Sequence, residues 1–294
     1  MKSKGIHLLL TGATACMSLM FFMTPTQGAN IVIGGNYTDI GTIIFVSPKP
    51  GDTPATAGTA LLNTINGITD NSATNPYLIK VGPGIYYLGT STLQMKEYVD
   101  IEGSGEKTTR IAGAVTNSVF PITGGTINGA SNAELRFLTV ENMGVGPLTA
   151  ALVNSSASPS ILHVTARASG GSYGNFGVYN ISSSPLMTNV TASASGGLDS
   201  RGVWNDSSSP VMTNVTARAS GGNYNYGVHN YTSGTVKINH SVISGTTHTI
   251  YNESGVTTMV ANTQLDGGTV ANYGTLTCAG IYDENYTFYP NTCP

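Results

Sequence analysis

The sequence predicts an all-β chain, a single-stranded right-handed parallel β-helix (a solenoid) with three short strands per coil and an N-terminal capping helix. Three observations predict it. The segment Asn180-Ile-Ser-Ser-Ser-Pro-Leu-Met-Thr-Asn-Val-Thr-Ala-Ser-Ala-Ser-Gly-Gly is followed by Asn205-Asp-Ser-Ser-Ser-Pro-Val-Met-Thr-Asn-Val-Thr-Ala-Arg-Ala-Ser-Gly-Gly, and self-similarity at such a spacing marks stacked repeats. Within each repeat, short period-two runs alternate with turn formers. Charged residues make up only 9% of the 294 residues, against about a quarter in ordinary globular domains. Gly, Ser, Thr and Asn fill the difference, and these suit tight turns and support helices poorly.

The period is set by a Gly-Val-aromatic-Asn element, present as Gly177-Val178-Tyr179-Asn180, Gly202-Val203-Trp204-Asn205 and Gly227-Val228-His229-Asn230. Asn180, Asn205 and Asn230 are spaced by 25 residues; Asn154 lies 26 before the first, Asn252 lies 22 after the last, and Asn272 follows after 20. Each period holds three extended runs, such as Pro185-Leu-Met-Thr, Val190-Thr-Ala-Ser-Ala and Gly202-Val-Trp. Val190, Ala192 and Ala194 alternate with Thr191, Ser193 and Ser195, giving one dry face and one wet face. Coils stacked about 4.8 Å apart bring equivalent positions into columns. Val164, Val190 and Val215 form one inward column, Ala166, Ala192 and Ala217 a second, and Ile161, Met187 and Met212 a third.

Two asparagine columns follow from the same arithmetic. Asn189 and Asn214 stack below His163; Asn154, Asn180, Asn205, Asn230 and Asn252 stack separately as a ladder. Each ladder amide can bond to its neighbours above and below, and asparagine tolerates the left-handed backbone that a sharp corner requires.

An open solenoid exposes unpaired backbone at both ends, so each end calls for a cover. Residues 56–68 read as a helix with Ala57, Leu61, Ile65 and Ile68 on one face. The C-terminal stretch offers Tyr282, Tyr286, Phe288 and Tyr289. The expected organisation is a signal peptide over residues 1–28, a cap with one short helix over 29–97, the β-helix over 98–277 with its clearest repeats at 154–252, and a C-terminal cap over 278–294.

The signal reading rests on Lys2 and Lys4, an apolar stretch over residues 6–23 and small residues after it. It implies export to a secreted, periplasmic or cell-surface location, with no membrane association once the signal is removed. Cys278 and Cys293 then remain as a pair, expected to form a disulfide. The net charge of −3 provides no basic field for a nucleic-acid partner.

The N-terminal part carries an ordered set of motifs. Asp39-Ile-Gly-Thr-Ile comes first, then the helix, then Leu78-Ile-Lys-Val-Gly-Pro-Gly-Ile-Tyr86, Val99-Asp-Ile-Glu-Gly-Ser-Gly105 and Thr109-Arg-Ile111. Over roughly residues 37–113 this resembles the opening of the pectin-lyase-like superfamily, and within it the start of pectin methylesterases. The resemblance implies the fold. It does not carry activity across, because the Gln-Asp, Asp-Phe-x-x-Gly and Leu-Gly-Arg-x-Trp segments of those esterases are absent, as are the polygalacturonase motifs. No catalytic residue is therefore transferred.

Polysaccharide chemistry needs two or three clustered carboxylates. Between Asn154 and Glu253 the acids are Asp199 and Asp206, which fall in different columns. Asp199 with Arg201 could imitate an esterase nucleophile and its partner, though solvated loop charges are the plainer reading. Asp100 and Glu102 point the same way on one strand as a conceivable ion site, but no metal site and no cofactor is expected. His163, His229, His240 and His248 have no metal-ligand spacing. Gly103-Ser-Gly-Glu-Lys-Thr108 lacks the glycine a phosphate loop needs before Lys107. Arg167 and Arg218 share a water-facing column with Ser193 between them.

The aromatic residues give the binding candidate. Tyr179, Trp204 and His229 form one outward column; Phe176, Arg201 and Tyr226 form another, with Tyr173, Tyr224 and Tyr231 nearby. Aromatic faces in a row on a rigid wall suit flat sugar rings, and such stacks also stabilise the coil itself. The sequence reading is an exported, non-catalytic β-helix that binds a polysaccharide, a cell-surface glycan or another extracellular surface through this wall. A polysaccharide-active esterase or lyase is the second reading, and a purely structural surface module is the third. The sequence does not set the ligand or the oligomeric state.

Overall fold

The computed structural model describes residues 41–294; the expected signal peptide and residues 29–40 of the expected cap lie outside the described residues. The chain winds into an all-β parallel solenoid of about eight turns, with one short helix near the N-terminus. One coil consists of strands Leu186–Thr188, Thr191–Ser195 and Asp199–Asp206, and the next of Val211–Thr213, Thr216–Ser220 and Tyr224–Tyr231. Like pairs with like: Met187 faces Met212, Ala192 faces Ala217 and Asn205 faces Asn230. The inward Val, Ala and Ile/Met columns expected from the repeat are all buried in one continuous core. The water-facing column of Arg167, Ser193 and Arg218 is in register too.

Single residues turn the corner between the first and second strands of a coil. His163, Asn189 and Asn214 hold φ of 50°, 54° and 52°, the left-handed region, where asparagine is tolerated best after glycine. The Asn154–Asn252 ladder does not supply these corners, contrary to one of its two expected roles. Its members lie buried inside or at the ends of strands, and the second set of left-handed corners belongs to Ser156, Ser182, Ser207 and Thr232.

The ladder works through its amides. Asn154 Nδ2 donates to Asn180 Oδ1, Asn180 to Asn205, and Asn205 to Asn230, each at 2.8 Å. Where the coils shorten, Thr258 is inserted: Asn230 Nδ2 donates to Thr258 Oγ1 at 2.9 Å, and that hydroxyl donates to Asn252 Oδ1 at 2.7 Å. Asn252 then reaches Asn272 at 2.7 Å.

The helix spans Pro54–Gly67, with Thr53 as N-cap accepting from Thr56 N at 3.2 Å. Ala57, Leu61 and Ile65 face the first coils, and Ile68 is buried just beyond the C-terminal turn. Gly58 lies against strand Gly84–Tyr87, where a β-carbon would come within 2.1 Å of the Tyr87 carbonyl oxygen. The Tyr86 hydroxyl donates to Val46 O at 3.1 Å and Gly82 O at 3.0 Å, and burial pushes its pKa up to about 12.

The C-terminal end carries the expected cysteine pair and aromatic residues. A disulfide joins Cys278 to Cys293. Of the four aromatic residues, Tyr289 packs against the core beside buried Ile281, while Tyr282, Tyr286 and Phe288 are exposed. Strand Ile281–Tyr282 pairs antiparallel with Phe288–Tyr289. Among the described residues no helix is long and apolar enough to cross a membrane.

Candidate functional site

The third side of the coil is built from strands Gly146–Ser155, Gly171–Ile181, Asp199–Asp206, Tyr224–Tyr231 and Val242–Asn252. Their register stacks Val153, Tyr179, Trp204, His229 and Tyr251 in one column. Ala150, Phe176, Arg201, Tyr226 and His248 form the next. The two columns are separated by Gly177, Gly202 and Gly227. A β-carbon at any of the three would come within 2.6 Å of the next coil, at Gly202 O, Arg218 N and Ile243 Cγ2 respectively, so the close approach of the coils requires glycine at each.

The rings meet across the columns. Trp204 packs on Tyr179 with centroids 4.7 Å apart and on Phe176 at 5.2 Å, and it stacks on His229 at 6.0 Å. The Arg201 guanidinium carbon sits 3.9 Å from the centroid of the Trp204 ring. Tyr226 contacts His229 at 5.2 Å and His248 at 5.7 Å.

The expected water-facing aromatic wall is only partly open. Phe176 and Tyr179 are buried, and Trp204 and His229 are 7% and 6% exposed. They leave the coil interior on the outward side, as expected, but residues 114–126 then cross over them. Asn117 pairs with Leu148 at 2.9 and 3.0 Å and anchors this strap. Ile122 is buried in the small second core formed by the rings, and the edge of Phe120 meets Trp204 at 5.1 Å and Phe176 at 5.9 Å. Tyr173 and Tyr224 remain half-exposed on the rim.

A groove of about 550 Å³ opens beside this cluster. It is lined by the rings of Phe120, Tyr179, Trp204, His229 and Tyr231, by Pro121 and Ile181, and by the charged side chains of Arg201, Asp206 and Glu253. Arg201 is bound to Asp199 through both carboxylate oxygens, with Nε donating to Oδ1 at 3.1 Å and Nη2 to Oδ2. Burial raises the Asp199 pKa, opposed by that guanidinium. Burial likewise raises Glu253, again opposed by Arg201. His229 Nε2 lies 3.3 Å from Glu253 Oε1. Burial, with Arg201 and His248 adding to it, holds the imidazole pKa well below its ordinary value, so the ring is neutral at pH 7.

Three nitrogens here are buried and make no hydrogen bond to any described residue: Trp204 Nε1, Arg201 Nη1 and His229 Nδ1. Leaving such a group unpaired costs roughly 1–3 kcal/mol. All three belong to residues that line the groove, which marks the site more sharply than the rings alone.

The other candidates are accounted for locally. Arg136 donates to Glu102 Oε2 at 2.9 and 2.8 Å and lies 3.5 Å from Asp100 Oδ2, and Lys80 also pairs with Glu102. Those carboxylates are thus occupied by cations of the chain itself. His163 Nε2 lies 3.0 Å from Asn189 Nδ2 as part of the corner column. Asp199 and Asp206 fall in different columns. Among the described residues no three His, Cys, Asp or Glu side chains gather as a metal site.

Sequence reasoning missed Phe120, Pro121 and Glu253. Phe120 lies in a stretch without repeat character, and Glu253 reaches His229 from the following coil, beyond the Asn column that ends each strand.

No family model matches this chain, and no curated protein sequence matches it. Solved structures do. A pectin methylesterase from carrot superposes with a TM-score of 0.55 at 11% identity, over 75% of this chain and 77% of that one. A pectin methylesterase from Erwinia chrysanthemi gives 0.50 at 14% identity, over 85% of each chain. The ORF18 protein of Geobacillus virus E2 gives 0.53 at 13% identity; the match covers 82% of this chain but spans only 50% of the viral protein. With the register and corners described above, these likenesses establish the fold: the chain is a right-handed parallel β-helix, as those pectin methylesterases are.

Proposed function

We propose that this chain is an exported, non-catalytic β-helix that binds carbohydrate in the groove lined by Trp204. The observation that carries the reading is the convergence of stacked rings, unpaired N–H donors and two carboxylates, Asp206 and Glu253, in one open groove. Sugar rings offer apolar faces to aromatic residues and hydroxyls to both donors and acceptors. The fold is shared with two pectin methylesterases, which supports a polysaccharide as the partner. The Cys278–Cys293 disulfide is in keeping with an oxidising, exported location.

The binding reading is favoured over an esterase by the state of Asp199. Both of its oxygens are taken by Arg201, and neither is free to attack a substrate. Trp204 is the single tryptophan of the chain, so its fluorescence reports on the groove. Titration with a broad glycan panel is expected to give a saturable shift, with no methanol or chain scission released from esterified pectin. A silent panel, with no binding by calorimetry, would leave only the structural-module reading. Turnover that survives purification would establish an enzyme instead.

A further inference from the structure

We infer that the groove takes an uncharged sugar residue and discriminates against uronates, an inference that rests on the carbohydrate-binding reading above. The charges of the groove carry it. Among the described residues Arg201 is the only lysine or arginine lining it, and its charge is already matched by Asp199, with both side chains largely buried. His229 adds no charge, because burial keeps it neutral. Asp206 and Glu253 remain, and among the described residues neither forms a salt bridge with lysine or arginine. The groove therefore presents two carboxylates in excess of its cations.

The hydrogen-bonding groups give the same answer. Trp204 Nε1 and Arg201 Nη1 are donors only and need an oxygen acceptor. Asp206 and Glu253, when ionised, are acceptors only; Asp206 Oδ1 accepts from Ser207 Oγ at 3.2 Å and Glu253 Oε1 lies 3.3 Å from His229 Nε2, which leaves each carboxylate further acceptor capacity for a donor. A sugar hydroxyl is both, so a neutral ring satisfies all four groups at once. A uronate carboxylate could serve the two donors, but it would lie in the same small groove as two like charges, where repulsion is screened less than in bulk water. The Phe120 ring meets Trp204 in a T-shaped contact and is 41% exposed, so the aromatic lining is itself partly open to a sugar.

The test uses the full chain at neutral pH and low salt. Oligogalacturonate, oligomannuronate and oligoguluronate are each compared with their carboxyl-reduced products, which keep linkage and ring stereochemistry and lose only the charge. A mixed array of neutral and acidic glycans is run beside them. Binding is read by calorimetry and by Trp204 fluorescence. In any pair that binds, the reduced form is expected to bind at least about tenfold more tightly than its parent, and array binders are expected to be neutral. A chain carrying Asp206→Asn and Glu253→Gln together is expected to narrow that gap to about threefold or less. A uronate that binds as well as its reduced form overturns the inference while leaving carbohydrate binding intact. A gap that persists unchanged in the double variant overturns it as well, by removing its electrostatic cause. Silence from every pair and from the whole array removes both this inference and the reading beneath it.

Discussion

Arg201 lies flat against Trp204, its guanidinium carbon 3.9 Å from the ring centroid, while Asp199 holds the guanidinium through two hydrogen bonds. The pair is largely buried, with side chains 11% and 13% exposed. Removing one member of a buried pair leaves the other charge stranded, at about 3–5 kcal/mol. Arg201→Leu is therefore expected to lower stability by roughly that amount, part of it the lost stacking on Trp204. Adding Asp199→Asn removes the stranded charge and should recover about half. Urea unfolding of the three chains checks this; a cost below about 1 kcal/mol for Arg201→Leu would show that Asp199 does not depend on it.

Asn205 occupies the middle of the amide ladder, accepting from Asn180 and donating to Asn230, both at 2.8 Å. Asn205→Leu strands one buried donor and one buried acceptor, each worth about 1–3 kcal/mol, for an expected loss of roughly 3 kcal/mol. Asn214 makes a similar bond to Asn189 at 2.6 Å, but at an exposed, left-handed corner. Asn214→Gly keeps that backbone relaxed and is expected to cost under about 1 kcal/mol. Equal losses at the two positions would refute the division of labour between ladder and corner.

The two asparagine columns also show where sequence stops short of structure. Both repeat every 25 residues from Asn180 to Asn205 and from Asn189 to Asn214, so spacing alone cannot say which one turns the corner. The strand bounds decide: Asn189 and Val190 separate strand Leu186–Thr188 from Thr191–Ser195, Val190 is β-branched and buried in the core, and Asn189 takes the positive φ. The inward columns were legible because period-two alternation and the coil repeat agree at Val190, Ala192 and Met187. Alternation also told which side of the strand Trp204 leaves. It could not tell that Phe120 and Ile122 arrive from a distant, non-repeating stretch to cover it, because nothing local to Trp204 encodes that strap. Glu253 was invisible for a similar reason: its partner His229 is a neighbour through coil stacking, across 24 residues of chain.

Deleting residues 180–204 should remove one whole coil and leave a folded protein. The cut joins Tyr179 to Asn205, and Asn205 takes the place of Asn180 above Asn154, so ladder and inward columns keep their register. Nearest-neighbour stacking makes such arrays tolerant of repeat number. The same cut removes Arg201 and Trp204, and with them any glycan binding. The expected circular dichroism spectrum is that of the parent, whereas Ala192→Asp, placing a charge between buried Ala166 and Ala217, should fail to give a folded chain. A β-rich, cooperative Ala192→Asp chain would contradict the assignment of that column to the core.

His229 sets a pH dependence whose sign can be worked out. Burial is the main reason its folded-state pKa lies well below the ordinary value, with Arg201 and His248 contributing. Below about pH 6.5 the unfolded chain takes up a proton at this histidine that the folded chain refuses. Stability from this group is therefore fully present above that pH and is lost as pH falls toward the depressed value, by up to about 1.4 kcal/mol per pH unit. Glu253 and Asp199 have raised pKa values and act with the opposite sign, holding protons in the folded state as pH falls into the carboxylate range. Comparison with His229→Phe, which keeps a ring in the column, isolates the histidine. The stability advantage of the parent over the variant should shrink by about 1 kcal/mol between about pH 7.5 and about pH 5.5. A difference that stays constant across that interval would mean that His229 titrates as a solvent-exposed imidazole does, and that the cluster around Trp204 is open to water.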